Sequence, residues 1–235
     1  MLLAHSLPAQ KGWKAGFTVS PLNSWMLNQS DLDTVESVFK YQSTWGMQGG
    51  LVGGYNLSQR LGVWTNILYG VQGQRYTTMP NGLDREVKNN TSLYYIKVPL
   101  LIRFSTKPVR KFLWSIYAGP QFSYLTKAKF FNDDYRFLPD NPSVKYPDTR
   151  DLYNEFHYSM VGGIGSDIRL TRELYLNLNV RVEYSLNDTE KKSAQYYEKE
   201  LNRLIVKNYY PNKRPITRTF VYGLNVGFTY HFLKR

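Results

Sequence analysis

Four residues near the end of a long polar stretch could do hydrolytic or acyl-transfer chemistry: His157, Ser159, Asp148 and Asp151. A histidine beside a serine, with an acid to orient the ring, can activate a hydroxyl or a water. Of the chain's three histidines, His5 lies in a leader-like start and His231 at the far end of the last strand, so His157 is the one placed for this work. A lone histidine among common polar residues is far more often a solvated loop residue, and the expectation is a protein that is not an enzyme. The acidic cluster Asp133-Asp134 with Asp140 lacks the spacing of a calcium loop, and no zinc pattern is present. The chain has no cysteine, which excludes disulfide and thiol chemistry. No cofactor is implied.

A second set of polar residues is better organised. Lys14, Lys97, Arg103, Asp167, Arg169, Arg181 and Glu183 each sit inside a strongly apolar segment, on the opposite face from its hydrophobic residues. Charges in that pattern suit the interior of a closed β-barrel whose apolar face points out. They must pair there, because an unpaired buried charge is very costly. Five of the seven are basic and two acidic, so waters, loop carboxylates or an anion must supply the balance. The expected role is a rigid lumen network of ion pairs and amides, joined by Asn177, Asn179, Asn225 and His231. The competing role is a narrow passive channel.

The segments that carry these residues read as strands. From Phe220, every second residue is apolar or aromatic as far as Phe232, while the other face, Val221 to His231, is small or polar at almost every step. Period two is a strand, and an apolar face with aromatics near both ends fits lipid exposure. The pattern recurs at about Gly12–Pro21, Thr44–Leu57, Leu61–Arg75, Tyr94–Phe104, Phe112–Leu125, Tyr158–Leu170 and Leu174–Leu186, giving eight strands. Connections after strands two, four and six are short. Those after one, three, five and seven are long and polar, at about Leu22–Ser43, Thr77–Thr91, Thr126–Phe156 and Asn187–Ile216. Such alternation predicts an all-β, eight-stranded antiparallel up-and-down transmembrane barrel, with short periplasmic turns, long extracellular loops and both termini in the periplasm. In the last long loop, Tyr197, Leu201, Leu204 and Ile205 of Ser193–Lys207 share a helical stripe, which predicts a short helix over the barrel mouth. A soluble lipocalin-type barrel would turn the apolar face inward. The regular loop alternation, and the absence of a Gly-x-Trp motif (Gly12 and Trp13 are adjacent), argue against it.

No window reaches the roughly 18 uncharged apolar residues of a spanning helix; Phe112–Thr126 is short, alternating and broken by Gly119-Pro120. Residues 1–10 read as the tail of a secretory signal peptide, with Leu2-Leu3-Ala4 ending an apolar region and Leu7-Pro8-Ala9 leading to cleavage. Residues 11–235 then form a single barrel domain. The net charge of +12 comes from scattered Lys and Arg with no basic helix, which points to an anionic lipid surface and not to nucleic acid.

Two resemblances sharpen this reading. Asn225, Gly227, Tyr230 and Phe232 resemble the C-terminal assembly signal of bacterial outer-membrane proteins, although the chain runs on through Leu233-Lys234-Arg235. The resemblance implies docking on the outer-membrane assembly machinery. Tyr95-Ile96-Lys97-Val98-Pro99-Leu100-Leu101-Ile102-Arg103-Phe104, followed by Tyr117-Ala118-Gly119-Pro120, resembles the small outer-membrane barrels of Bacteroidetes grouped with PorT, a porin-type barrel family. That resemblance implies the outer membrane of a Gram-negative bacterium and, for some relatives, support of protein secretion. Fold kinship alone does not carry that role over. The expected function is structural or interactive, through the extracellular loops, with lipopolysaccharide and a surface protein as candidate partners.

Overall fold

The computed structural model describes residues 12–28, 39–78, 86–106, 111–132, 148–191, 196–200, 203–207 and 216–232. The leader-like residues 1–10, the acids Asp133, Asp134 and Asp140, and the basic pair Lys213-Arg214 lie outside them.

Nine strands form one closed antiparallel sheet: β1 (Gly12–Asn28), β2 (Phe39–Gln42), β3 (Thr44–Asn56), β4 (Leu61–Thr78), β5 (Val87–Ser105), β6 (Phe112–Asn132), β7 (Phe156–Arg169), β8 (Leu174–Ser185) and β11 (Thr217–His231). Each wall strand pairs with its sequence neighbours, β11 returns to β1, and β4 with β5 completes the ring. β2 and β3 form one stave interrupted at Ser43: β2 pairs with the far end of β4 and β3 with the rest of it. The barrel therefore has eight staves, as the alternation predicts. Closure leaves no free sheet edge, which lets such a sheet sit in hydrocarbon.

The alternation explains which face is which. On β8 and β11, Leu178 stands opposite Val226 and Asn179 opposite Asn225. Leu178, Val180, Leu224 and Val226 are exposed on the outside, whereas Asn177, Arg181, Glu183 and Asn225 are buried inside. Aliphatic residues dominate the middle of the outer face: Leu51, Ile67, Leu100, Ile102, Ile116 and Ile164. Aromatic rings collect at its two ends. Trp13, Phe104, Phe112, Trp114, Tyr230 and Phe232 ring the short-turn end; Trp45, Tyr69, Phe122, Tyr124, Phe156, Tyr158 and Tyr222 ring the other. An aliphatic band between two aromatic girdles is the outer surface of a barrel matched to a bilayer.

Two expectations need correction. The long loops are shorter than the sequence suggests, because β4, β5 and β6 run to 18, 19 and 21 residues and rise well above the upper girdle. Spanning needs only about 9–11 residues. Beyond the membrane both faces can be polar, so the apolar alternation fades while the ladder of Arg75–Asn90 and Tyr76–Asn89 pairs continues. The helix expected over Ser193–Lys207 is a β-hairpin, with β9 (Tyr196–Glu200) antiparallel to β10 (Arg203–Lys207). Its register sets Tyr197 opposite Val206 and Glu198 opposite Ile205, and the strand preference of aromatic and β-branched residues outweighs an isolated helical stripe.

Candidate functional site

The inward face is filled in layers. Near mid-height, Glu183 binds two cations: Lys97 Nζ donates to Oε2 at 2.9 Å and Arg181 Nε donates to Oε1 at 2.8 Å. Three glutamines surround the pair. Gln121 Nε2 donates to Glu183 Oε2 at 2.9 Å, and Gln48 Nε2 reaches Oε1 at 3.4 Å. Lys97 also donates to Gln72 Oε1 at 2.7 Å and Gln48 Oε1 at 3.2 Å, and Arg181 Nη2 donates to Gln121 Oε1. The six residues come from β3, β4, β5, β6 and β8, so the network ties staves across the barrel rather than along its wall.

A second cluster lies toward the short-turn end. Arg103 Nη2 donates to Asp167 Oδ1 at 2.6 Å and to Ser115 Oγ at 2.6 Å, and Asn177 Nδ2 donates to Asp167 Oδ1 at 2.7 Å. The Arg103 guanidinium also stacks on Trp64, 4.7 Å from the ring centre. Lys14 Nζ lies 5.6 Å from the centre of the same indole and 4.6 Å from that of Tyr175. Two glycines make room for the inward rings. A Cβ at Gly54 would come 2.5 Å from Trp64, and one at Gly163 would come 2.3 Å from Tyr117. Above the Glu183 network, Tyr95 and the apolar residues Leu93, Leu125, Ala128 and Tyr153 close the mouth, with Leu152 packed against them. Tyr153 and Leu152 come from the short 3-10 helix at Arg150–Leu152 and the residue after it.

Of the seven charged residues expected in the lumen, the structure joins Lys97, Arg181 and Glu183 in one cluster and Arg103 with Asp167 in another. Lys14 is buried beside the second, and half-buried Arg169 forms no ion pair among the described residues. Sequence reasoning passed over Gln48, Gln72 and Gln121, though the same count in twos puts them on the inward face. Of the C-terminal set, Asn225 and Gly227 face inward, while exposed Tyr230 and Phe232 stack edge to face at 5.1 Å in the lower girdle. The Tyr230 hydroxyl donates to Glu173 in the adjoining turn.

The rim constellation is dispersed. His157 is 3 % exposed, not solvated as expected, and lies edge-on to Tyr95 with ring centres 5.4 Å apart. Ser159 is buried two residues further down, whereas Asp148 and Asp151 are exposed, Asp148 capping the backbone N–H of Arg150 at 3.1 Å.

Two cavities in the lumen, lined by described residues, measure about 50 Å³ and about 10 Å³. Neither approaches a continuous path, and eight staves leave an interior that side chains just fill. Planar bilayers holding the purified protein are expected to show no stable large-conductance steps. Steady anion-selective openings that vanish in Arg103→Ala would instead identify a conducting lumen.

Outside, the part of the wall above the upper girdle is basic. Lys40, Arg75, Lys88 and Lys127 are exposed on β2, β4, β5 and β6. Register sets them close together: Lys40 opposite Thr77, Thr77 opposite Lys88, Arg75 opposite Asn90, and Lys127 opposite Tyr94. Lys129 lies over the Tyr94 ring, 6.0 Å from its centre, and Lys40 pairs with Glu86 at 2.5 Å.

Comparison with known proteins agrees with this geometry. OprG from Pseudomonas aeruginosa superposes with a TM-score of 0.50 at 12% identity, over 95% of this chain and 97% of that one. A major outer membrane protein from Thermus thermophilus gives a TM-score of 0.50 at 13% identity, over 93% of this chain and 99% of that one. At such identities the likeness shows the fold alone. No curated protein matches in sequence. The outer membrane protein beta-barrel domain family matches residues 6–191, most of the chain, and this protein, with its polar lumen and lipid-matched girdles, is a member of that family and resides in the outer membrane.

Proposed function

We propose that this barrel neither conducts nor catalyses, and acts through its outer collar, which holds anionic lipid of the outer leaflet and presents the outer loops to a protein partner. One observation carries the reading: exposed Lys40, Arg75, Lys88 and Lys127 cluster on the wall above the Tyr69–Tyr94–Tyr124 girdle, where the strands rise out of the hydrocarbon on the side of the outer-leaflet headgroups. Rings at an interface with cations just beyond them match a phosphorylated amphiphile such as lipopolysaccharide, each cation contributing roughly 1 kcal/mol near an anionic surface. The PorT-like reading rests on the Tyr95–Phe104 and Tyr117–Pro120 segments. On it, the collar and loops would serve secretion as an accessory surface. The exposed Tyr230–Phe232 pair is the part we assign to docking on the assembly machinery.

Native mass spectrometry with lipid A, the phosphorylated anchor of lipopolysaccharide, tests the collar. The triple variant Arg75→Ala/Lys88→Ala/Lys127→Ala is expected to lose lipid A adducts by at least about tenfold. A second variant deletes residues 193–213 and closes the hairpin with Asn-Gly. It should remain an inserted, heat-modifiable barrel that binds lipid A normally, because loop length adds little closure cost. The cut begins after Lys192, sparing Lys191, for a structural reason. Thr189 N–H donates to the Thr217 carbonyl at 2.9 Å, Thr217 N–H to Asp188 Oδ1 at 3.1 Å and Lys191 N–H to the Leu152 carbonyl at 2.9 Å, a clasp the mouth needs. Lipid A binding lost with the hairpin and kept in the triple variant would move the site to the loops.

A further inference from the structure

We infer that the larger lumen cavity is a binding site for a small monovalent anion, held between Arg103 and Arg181 at the heart of the barrel. The charge count requires a counter-ion. Four cations, Lys14, Lys97, Arg103 and Arg181, face two carboxylates, Asp167 and Glu183, and all six are buried. Glu183 is shared by Lys97 and Arg181, and Asp167 is taken by Arg103. Lys14 forms no ion pair among the described residues and is held by two aromatic faces. Excess positive charge buried at bilayer depth is expensive unless something neutralises it.

The cavity is built to do so. Its volume is about 50 Å³, and its lining includes both guanidinium groups and no carboxylate. Roughly 10–15 Å³ on this measure already accommodates one water, so a halide-sized ion with a companion water fits. Among the described residues, Arg103 Nε and Trp64 Nε1 are buried donors without a protein partner, and both residues line the cavity. Asn179 and Asn225, paired across β8 and β11, also line it, and neither Oδ1 has a partner. A half-turn of either amide exchanges that oxygen for an N–H₂ donor, since the two ends are nearly isosteric. Two guanidinium groups, one with an unpartnered Nε–H, and two adaptable amides make a cage for a compact anion. A cation would meet two guanidinium groups and no carboxylate, and water alone would leave the excess charge standing.

Bromide is the probe. Crystals of the intact protein in bromide should show an anomalous peak in this cavity, beside the guanidinium groups of Arg103 and Arg181. Replacing gluconate, too large to enter, with bromide at constant ionic strength should also raise the urea unfolding midpoint of the bilayer-inserted barrel. Asn225→Asp places a carboxylate at the cavity wall without changing its volume. In that variant the bromide peak should disappear and the midpoint should become the same in both salts. A wild-type cavity without anomalous signal, or a wild-type midpoint equal in the two salts, overturns the assignment and needs no variant to do so.

Discussion

Glu183→Gln is expected to destabilise the inserted barrel by about 3–5 kcal/mol, the usual cost of stripping a buried ion pair of one partner. Glu183 is 4 % exposed and accepts from Lys97, Arg181, Gln121 and Gln48, so the substitution leaves two buried cations facing each other without a carboxylate between them. Arg181→Met should cost clearly less. It keeps Lys97 on Glu183 at 2.9 Å and removes a charge from a lumen already rich in cations. Urea unfolding in lipid vesicles, followed by tryptophan fluorescence, measures both. The double variant Glu183→Gln/Lys97→Gln should recover part of the loss, because it removes one of the stranded charges. A loss below about 1 kcal/mol for Glu183→Gln, or equal losses for the two single variants, would mean that the network is neither tight nor short of negative charge.

The staves were legible because lipid and lumen impose opposite demands on successive residues. β8 shows it most plainly: Leu174, Leu176, Leu178, Val180 and Val182 alternate with Tyr175, Asn177, Asn179, Arg181 and Glu183, and the strand observed is Leu174–Ser185. Where only one demand acts, the signal weakens. Above the membrane, residues 126–132 of β6 read as loop, although Lys127 and Ala128 still alternate outward and inward there. β2 was missed for a related reason: it is four residues long and continues the β3 stave after a break at Ser43.

The site was legible in part. Charged residues on the inward face stand out against apolar neighbours, which is why Lys97, Arg181 and Glu183 could be named together. Their pairing could not be read, since it depends on barrel stagger bringing β5 level with β8, staves that share no ladder. Gln48, Gln72 and Gln121 carry the same period-two signal but no charge, and so drew no notice. The mouth was unreadable for a third reason. Tyr153 belongs to a segment with no periodicity of its own, and only the fold carries it onto Leu93, Tyr95 and Leu125. His157, edge-on to Tyr95, is likewise buried and not the solvated rim residue expected.

Leu178→Arg should cost roughly 2–4 kcal/mol in a bilayer, the range for a cation on the lipid face at midplane depth. Depth is fixed by the girdles: on β8 and β11, Tyr230 marks the lower one and Tyr222 the upper, and Leu178 stands opposite Val226, midway between them. Asn179→Ala, one residue along but facing inward, should cost clearly less, because Asn179 Oδ1 has no partner among the described residues to lose. Ile216→Arg supplies the depth control. Ile216 is as exposed as Leu178, at 48 % against 40 %, but precedes β11 above the upper girdle. An arginine there should shift stability by no more than about 0.5 kcal/mol. The ordering matters more than any single value, because only a bilayer grades an outward arginine by height. A soluble barrel would penalise Leu178 and Ile216 alike by their exposure, and an inside-out barrel would make Asn179→Ala the costlier change. Unfolding free energies for the three variants in the same vesicles separate the cases, and comparable small costs for both arginines would remove the membrane from the account.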